Sequence, residues 1–278
     1  MQPTPSAAPV IAVPRPTAEA DAAELRLEIL ARLDGRPGFA VIGGLEGAAG
    51  PERERAFAEA CSWFGKLLPQ DAHGTLVRHV RDRGTRIGEG RSRYADSREG
   101  GSLHTDGAEA PPPVPEYFAL LCVRAAAEGG ALQLVHVDDV VEALKERPDA
   151  LEVLRRPFHF DRRGDERPGE PPTTAKPILF EEDGVACATY LRQYVEAGHA
   201  NPDLPDLTPL QVAALDALDE ALASPSLVTE QTMQPGELAI INNRRVFHGR
   251  TAFIDHPEPE RARLLYRAWL RRRTTDAR

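Results

Sequence analysis

The sequence predicts an α+β, β-rich fold: a β-sandwich or jelly roll with flanking helices. Three observations carry this expectation. Helical periodicity is confined mainly to the first quarter of the chain and to one stretch near 208–223. The remainder breaks into many short apolar segments separated by Gly and Pro, as in sandwiches and barrels rather than in alternating strand–helix units. No repeat and no clean boundary divides the 278 residues, a length that suits one large domain.

In chain order, residues 1–17 are rich in Pro and Ala and are expected to form a flexible N-terminal arm. A single domain over 18–278 would follow. Leu25, Leu27, Ile29, Leu30 and Leu33 fall near helical spacing and predict a helix over 18–33, stopped by Gly35 and Pro37. Residues 39–42 predict a short buried strand, and 51–64 a second helix with Pro51 near its first turn. Residues 75–80 are strand-like, whereas 92–101 are polar and glycine-bounded, hence a loop. Pro111-Pro112-Pro113 marks another exposed loop. Residues 117–123 form an apolar strand, and Gly129-Gly130 predicts a tight turn into a hairpin partner over 132–137. Asp138 or Asp139 is expected to cap a helix reaching Glu146, and Pro148 to start another. The charged stretch near 162–175 lacks apolar periodicity and is a candidate lid-like loop. Thr208-Pro209 opens an amphipathic helical insertion, and strands are expected over 227–232, 238–241 and 263–270.

Bulk composition narrows the function classes. Hydrophobic residues make up 41% and charged residues 28%, ordinary values for a globular protein. The net charge of -9 would repel a phosphate backbone, so no nucleic-acid partner is expected, and Arg271-Arg272-Arg273 is read as a solvated tail. No apolar run approaches the ~20 residues of a membrane span, and the start lacks the basic and apolar regions of a signal peptide. Cys61, Cys122 and Cys187 form neither a metal-type pair nor an even disulfide framework, which fits a reduced, cytoplasmic setting. The oligomeric state is open, a homodimer included.

The chemistry-bearing pattern is His-x-Asp, which occurs three times: His104-Thr105-Asp106, His136-Val137-Asp138 and His159-Phe160-Asp161. On a strand, residues i and i+2 share a face, so each pair could present an imidazole and a carboxylate to one cation. A second imidazole completes the two-His, one-carboxylate facial set that leaves positions open on non-haem Fe(II). Context ranks the copies. The second abuts a helix start, where its Asp has a capping role. The third alternates with Phe158 and Phe160, which would claim the core face. The first lies between a Gly-Gly-Ser entry and a Gly- and Pro-rich exit, a loop setting typical of functional residues. His248, within Asn242-Asn243-Arg244-Arg245-Val246-Phe247-His248-Gly249-Arg250, is the candidate third ligand. On the last strand Arg263, Leu265, Arg267 and Trp269 share one face, and Leu264, Tyr266, Ala268 and Leu270 the other. Both faces are largely apolar. Two buried Arg need anions, whether an internal Asp or Glu or a bound dicarboxylate.

These three segments, in this order, resemble the Fe(II)/2-oxoglutarate-dependent oxygenases of the taurine dioxygenase and clavaminate synthase-like group, from about residue 74 to 269. The resemblance implies a double-stranded β-helix core, with His104, Asp106 and His248 as catalytic iron ligands. It implies Arg263 for the distal carboxylate of 2-oxoglutarate, and Arg267 for co-substrate or an anionic substrate. Asn243 and Arg245 would hold the strand that presents His248. The expected cofactors are Fe(II), 2-oxoglutarate as co-substrate, and O2. The expected reaction is oxidation of an unactivated C–H bond of a small polar molecule, such as an amino acid or natural-product intermediate. Hydroxylation heads the outcomes, with desaturation and cyclisation as others. Ser102, Arg250, Tyr94 and Arg78 are candidate substrate contacts. The family's usual Thr or Ser after the Gly-Gly turn is here Leu132, which offers no hydrogen bond. Asp106 is intact, which disfavours halogenation. Alternatives are a tailoring oxygenase acting on a carrier-bound substrate, a zinc hydrolase, or a non-catalytic jelly-roll binding protein.

Overall fold

The computed structural model describes residues 11–12, 19–45, 47, 49–71, 73–86, 94–111 and 114–273. Its strands in the first half are β1 (Ile11–Ala12), β2 (Phe39–Gly43), β3 (Lys66–Leu68), β4 (Arg78–Val80), β5 (Gly101–His104), β6 (Tyr117–Arg124), β7 (Glu128–Gly129) and β8 (Leu132–His136). They continue as β9 (Pro157–Asp161), β10 (Thr173–Pro177), β11 (Leu179–Glu182), β12 (Val185–Ala188), β13 (Thr229–Gln231), β14 (Leu238–Asn242), β15 (Val246–Arg250), β16 (Phe253–Ile254) and β17 (Leu264–Arg271). The helices are α1 (Glu19–Asp34), α2 (Gly50–Ser62), α3 (Val137–Ala143), α4 (Pro148–Leu154), α5 (Arg192–His199) and α6 (Pro209–Leu222).

Two sheets make the β-rich jelly-roll core. The larger has the order β1-β2-β14-β6-β17-β3, with β4 also on β17; the smaller has the order β13-β8-β15-β5. Alternation along the central strands explains the layering. On β6, Phe118, Leu120 and Cys122 face the space between the sheets, while Tyr117, Ala119, Leu121 and Val123 face helices α1 and α2. On β17, Leu265 and Trp269 turn inward and Tyr266, Ala268 and Leu270 outward, as the sequence predicts. On β15, Val246 is inward and Phe247 packs outward with α3 to α6. Both sheets are therefore covered on their outer faces, and the space between them is a third apolar layer. Burying a large side chain such as Phe118 between the sheets, or Phe247 beneath the helices, stabilises the fold by roughly 1.5–3 kcal/mol.

Several expectations need correction. Residues 117–124 and 132–136 do not form a hairpin: β6 pairs with β14 and β17 in the large sheet, β8 with β13 and β15 in the small one. The Gly129-Gly130 bend instead carries the chain from one sheet to the other, and β7 pairs with β16. Apolar alternation and a glycine turn look the same in a crossover and in a hairpin. Neither Asp138 nor Asp139 caps α3. His136 does, with Nδ1 accepting from the Asp138 N–H at 3.2 Å. The two aspartates pair outward, Asp138 with Arg245 at 2.7 Å and Asp139 with Arg36 at 2.8 Å. Helix α5 was not expected; its eight residues are too few for a periodic signal. The capping box of α6, Thr208 with Gln211, forms as its sequence indicates.

Within the predicted arm, Ile11–Ala12 adds a parallel strand to β2; residues 1–10 and 13–18 lie outside the described residues. The loop at 162–172 joins β9 to β10, and Arg162 within it is buried and paired with Glu170 at 2.6 Å. The third motif rides on this hairpin. Phe158 and Phe160 are fully buried, while the side chains of His159 and Asp161 lie on the other face.

Candidate metal centre

The inward face of β15 and β5 positions the ligands. His248 and His104 are direct cross-strand partners, so their side chains stand side by side, ring centroids 4.4 Å apart. Strand β5 ends at His104. Thr105 turns the other way, and its hydroxyl accepts from the Tyr190 N–H at 2.9 Å while its own N–H donates to the Tyr190 carbonyl at 2.8 Å. That double anchor swings Asp106 back beneath the two imidazoles. Asp106 Oδ1 lies 3.9 Å from His104 Nε2 and 3.8 Å from His248 Nε2. Ligand atoms of all three residues fall within 4.8 Å of one another. Among the described residues this is the single cluster of its kind.

The donor set suits a divalent cation of intermediate softness. The two carboxylate–imidazole gaps are under twice a metal–ligand bond of ~2.1 Å, so one ion can bridge each. His104 Nδ1 donates to the Ser102 carbonyl at 2.9 Å, which fixes its tautomer and makes Nε2 the ligating nitrogen. His248 Nδ1 is buried with no partner, against the Phe118 ring at 4.0 Å.

Asp106 is held from all sides. Trp269 Nε1 donates to Oδ2 at 2.8 Å, and Arg267 Nη1 donates to Oδ1 at 3.0 Å. The Asn243 amide grips the main chain of Asp106, accepting from its N–H at 2.7 Å and donating to its carbonyl at 2.9 Å. Gln70 in turn accepts from Arg267 Nε at 2.9 Å. Burial opposes ionisation of Asp106, but the Arg267 guanidinium and the two imidazoles outweigh it and hold the carboxyl far below the usual range. Burial and the neighbouring His248 push His104 down to about 4, so Asp106 and His104 are in their metal-binding forms at neutral pH.

A cavity of about 200 Å³ opens at this cluster. Its walls are mostly apolar, including Phe118, Leu120, Leu132 and Met233, and three arginines line it: Arg250, Arg263 and Arg267. Arg263 is 6% exposed. Its guanidinium stacks at 4.9 Å from the Phe253 ring, and burial lowers its pKa. Gly130 has φ +72°, and a Cβ there would meet Arg263 Nε at 3.2 Å, so the glycine lets the arginine lie along the turn.

The structure thus brings His104, Asp106, His248, Arg250, Arg263 and Arg267 together. Two sequence candidates fall away. The Ser102 side chain is exposed and only its carbonyl serves the site. Arg78 is paired with Asp96 at 2.7 Å and does not line the cavity. The Tyr94 backbone forms a short 3-10 turn; its side chain lies outside what is described. Residues 162–175 do not reach the cavity wall. Gln70, Trp269 and Thr232 are site residues that sequence reasoning missed. Trp269 shares the arginine face of β17, and that period-2 signal could have found it.

The family model for taurine catabolism dioxygenase TauD, TfdA family matches residues 3–269. FR-33289 synthase of Streptomyces rubellomurinus (strain ATCC 31215) is 26% identical over 256 residues, covering 90% of this chain and 73% of that protein. A uridine-5'-phosphate dioxygenase from Streptomyces sp is 30% identical over 174 residues, 59% of each chain. The chain also resembles the crystal structure of an asparagine oxygenase in complex with Fe(II), 2S,3S-3-hydroxyasparagine and succinate. The TM-score is 0.70 at 20% identity, over 89% of this chain and 79% of that one. The non-heme iron oxygenase OrfP with Fe and alpha-ketoglutaric acid gives a TM-score of 0.66 at 19% identity, covering 91% and 80%. At such identities these structures bear on the fold.

Proposed function

The chain belongs to the taurine catabolism dioxygenase TauD, TfdA family, and on that premise we propose that it is an Fe(II)- and 2-oxoglutarate-dependent oxygenase of a small polar substrate. One observation carries the site assignment: a cluster of two imidazoles and one carboxylate, the single one among the described residues, opens into a cavity that buried arginines line. Bound there, iron and 2-oxoglutarate would supply the activation of O2, with succinate and CO2 as by-products.

The protein's own residues do the rest. His104, Asp106 and His248 hold the metal on one face and leave the cavity side open. Trp269, Arg267 and Asn243 lock the carboxylate, so the ligand geometry is set before anything binds. Arg263 is aimed at a carboxylate: it is buried, it lines the cavity, and its main-chain N–H is fixed by Asp255 at 2.6 Å. The apolar walls exclude water from the reacting centre. Glu128 and Thr232 are polar points on those walls that suit a polar substrate. An amino acid or natural-product intermediate fits the class of molecule named in the related proteins, and hydroxylation of an unactivated C–H bond is the reaction proposed.

Anaerobic titration of metal-free protein with Fe(II) and then 2-oxoglutarate tests this. A visible charge-transfer band is expected; no band, and no succinate with any substrate panel, would sink the proposal. In Arg263→Ala the 2-oxoglutarate requirement should rise roughly 30-fold or more, the usual loss when one partner of a buried charge pair is truncated. Unchanged turnover would refute the role of Arg263.

A further inference from the structure

Tyr190 is fully buried, two residues before α5, and it does not line the cavity. Its contacts run to the metal-ligand segments on one side and to α6 on the other. On the main chain, the Thr105 hydroxyl accepts from the Tyr190 N–H at 2.9 Å, and the Thr105 N–H donates to the Tyr190 carbonyl at 2.8 Å. Thr105 lies between His104 and Asp106 and is itself buried. The Tyr190 ring meets Phe247 edge-on, with centroids 6.3 Å apart, and Phe247 is the chain neighbour of His248. One residue thus touches the neighbours of all three ligands. The phenol reaches the opposite way and donates to Asp219 Oδ1 on α6 at 2.6 Å. Arg192, the first residue of α5, donates to the other oxygen of Asp219 at 3.0 Å. Burial and the Asp219 carboxylate push the phenol pKa up, so it keeps its proton and donates. Phenylalanine would fill the same space without desolvating a hydroxyl. What the hydroxyl adds is a fixed link to a helix that carries no ligand.

We propose that Tyr190 is a positioning residue of the metal centre. Its main chain fixes the Thr105 turn between His104 and Asp106, its ring backs the His248 segment, and α6 holds it in place through Asp219. This role rests on the metal assignment proposed above. The ligand set leaves little slack: Asp106 Oδ1 stands 3.9 and 3.8 Å from the two imidazole nitrogens, and metal–ligand distances hold to about 0.2 Å. A small shift of the Thr105 turn would therefore be felt at the ion.

The test is anaerobic titration of metal-free protein with Fe(II) and, in parallel, with Co(II), whose visible absorption reports ligand number and geometry. Thr105→Val keeps the shape of Thr105 and removes the acceptor of the Tyr190 N–H; Thr105→Ser keeps that acceptor. Tyr190→Phe keeps ring and main chain and removes only the link to Asp219. In Thr105→Val the Kd for Fe(II) should rise roughly 10- to 100-fold, the range for loss of a partner that orients a ligand, and the Co(II) spectrum should change. Thr105→Ser should bind as wild type does. Tyr190→Phe should cost about tenfold, at the low end of that range. Circular dichroism and chemical denaturation of the metal-free variants separate positioning from packing. An unchanged Kd and Co(II) spectrum in either folded variant, Thr105→Val or Tyr190→Phe, overturns the proposal whatever its stability. So does a Thr105→Ser variant as weak as Thr105→Val. Should Thr105→Val not fold, Tyr190→Phe decides by the same criterion. Wild type that binds neither ion would remove the metal centre itself, a distinguishable failure.

Discussion

His248 and His136 face the same inter-sheet space from adjacent strands, yet one belongs to the candidate metal centre and the other to a helix cap. On the β15–β8 ladder His248 sits opposite Leu134, and Val246 sits opposite His136, so the two imidazoles are only one inward rung apart. Each belongs with a nearby aspartate. At His248 the next strand over supplies His104, and the chain beyond it returns Asp106 to the same point. At His136 the strand ends and α3 begins, so Nδ1 is consumed by the Asp138 N–H and the Asp138 carboxylate leaves for Arg245. A His-x-Asp tripeptide becomes a ligand pair only where a third donor converges and nothing local captures the first two.

The contrast can be broken at its strongest point first. Asp106→Ala should lower iron affinity by more than the ~100-fold that removing an outer partner costs, whereas His136→Gln should leave iron content unchanged. Measured by metal analysis after anaerobic reconstitution, iron loss in the His136 variant alone would reverse the assignment. Arg267→Leu should weaken iron binding roughly 10- to 100-fold, because Asp106 loses its cation as well as a hydrogen bond. Trp269→Phe removes one hydrogen bond to Oδ2 and should cost about tenfold, read by the same titration. If it binds iron as wild type does, the indole serves packing alone.

On the other side, His136→Gln should cost about 1 kcal/mol of stability, the usual worth of a helix cap, measured by chemical denaturation of metal-free protein. Burial lowers the pKa of His136 below its ordinary 6.5. The folded state therefore holds the proton less well than the unfolded chain. Its contribution is complete above 6.5 and is lost as pH falls through the folded-state value. The stability gap between wild type and His136→Gln should accordingly narrow from pH 7.5 to pH 5. A constant gap would show that His136 does not cap as a neutral base.

Much of the site was legible because it rests on period-2 alternation. The inward face of β17 could be read directly from Arg263, Leu265, Arg267 and Trp269, and His248 from its own segment. The failures share a cause. Ser102 is exposed at the entry of β5, and its contribution is a carbonyl that no residue type announces. Arg78 was drawn off by Asp96, a pairing across 18 positions that only folding creates. The supposed hairpin at 117–137 failed because a turn signal says where a chain bends and not which sheet receives it.

The sequence by itself determined the β-rich sandwich, the flanking helices and the identity of the ligand-bearing segments, since these follow from local periodicity and residue chemistry. Only the tertiary structure decided how the Thr105–Tyr190 anchor returns Asp106 beneath the two imidazoles, and that Arg267 braces Asp106 rather than standing free. Those outcomes depend on strand register, and register is set by pairing between segments far apart in the chain.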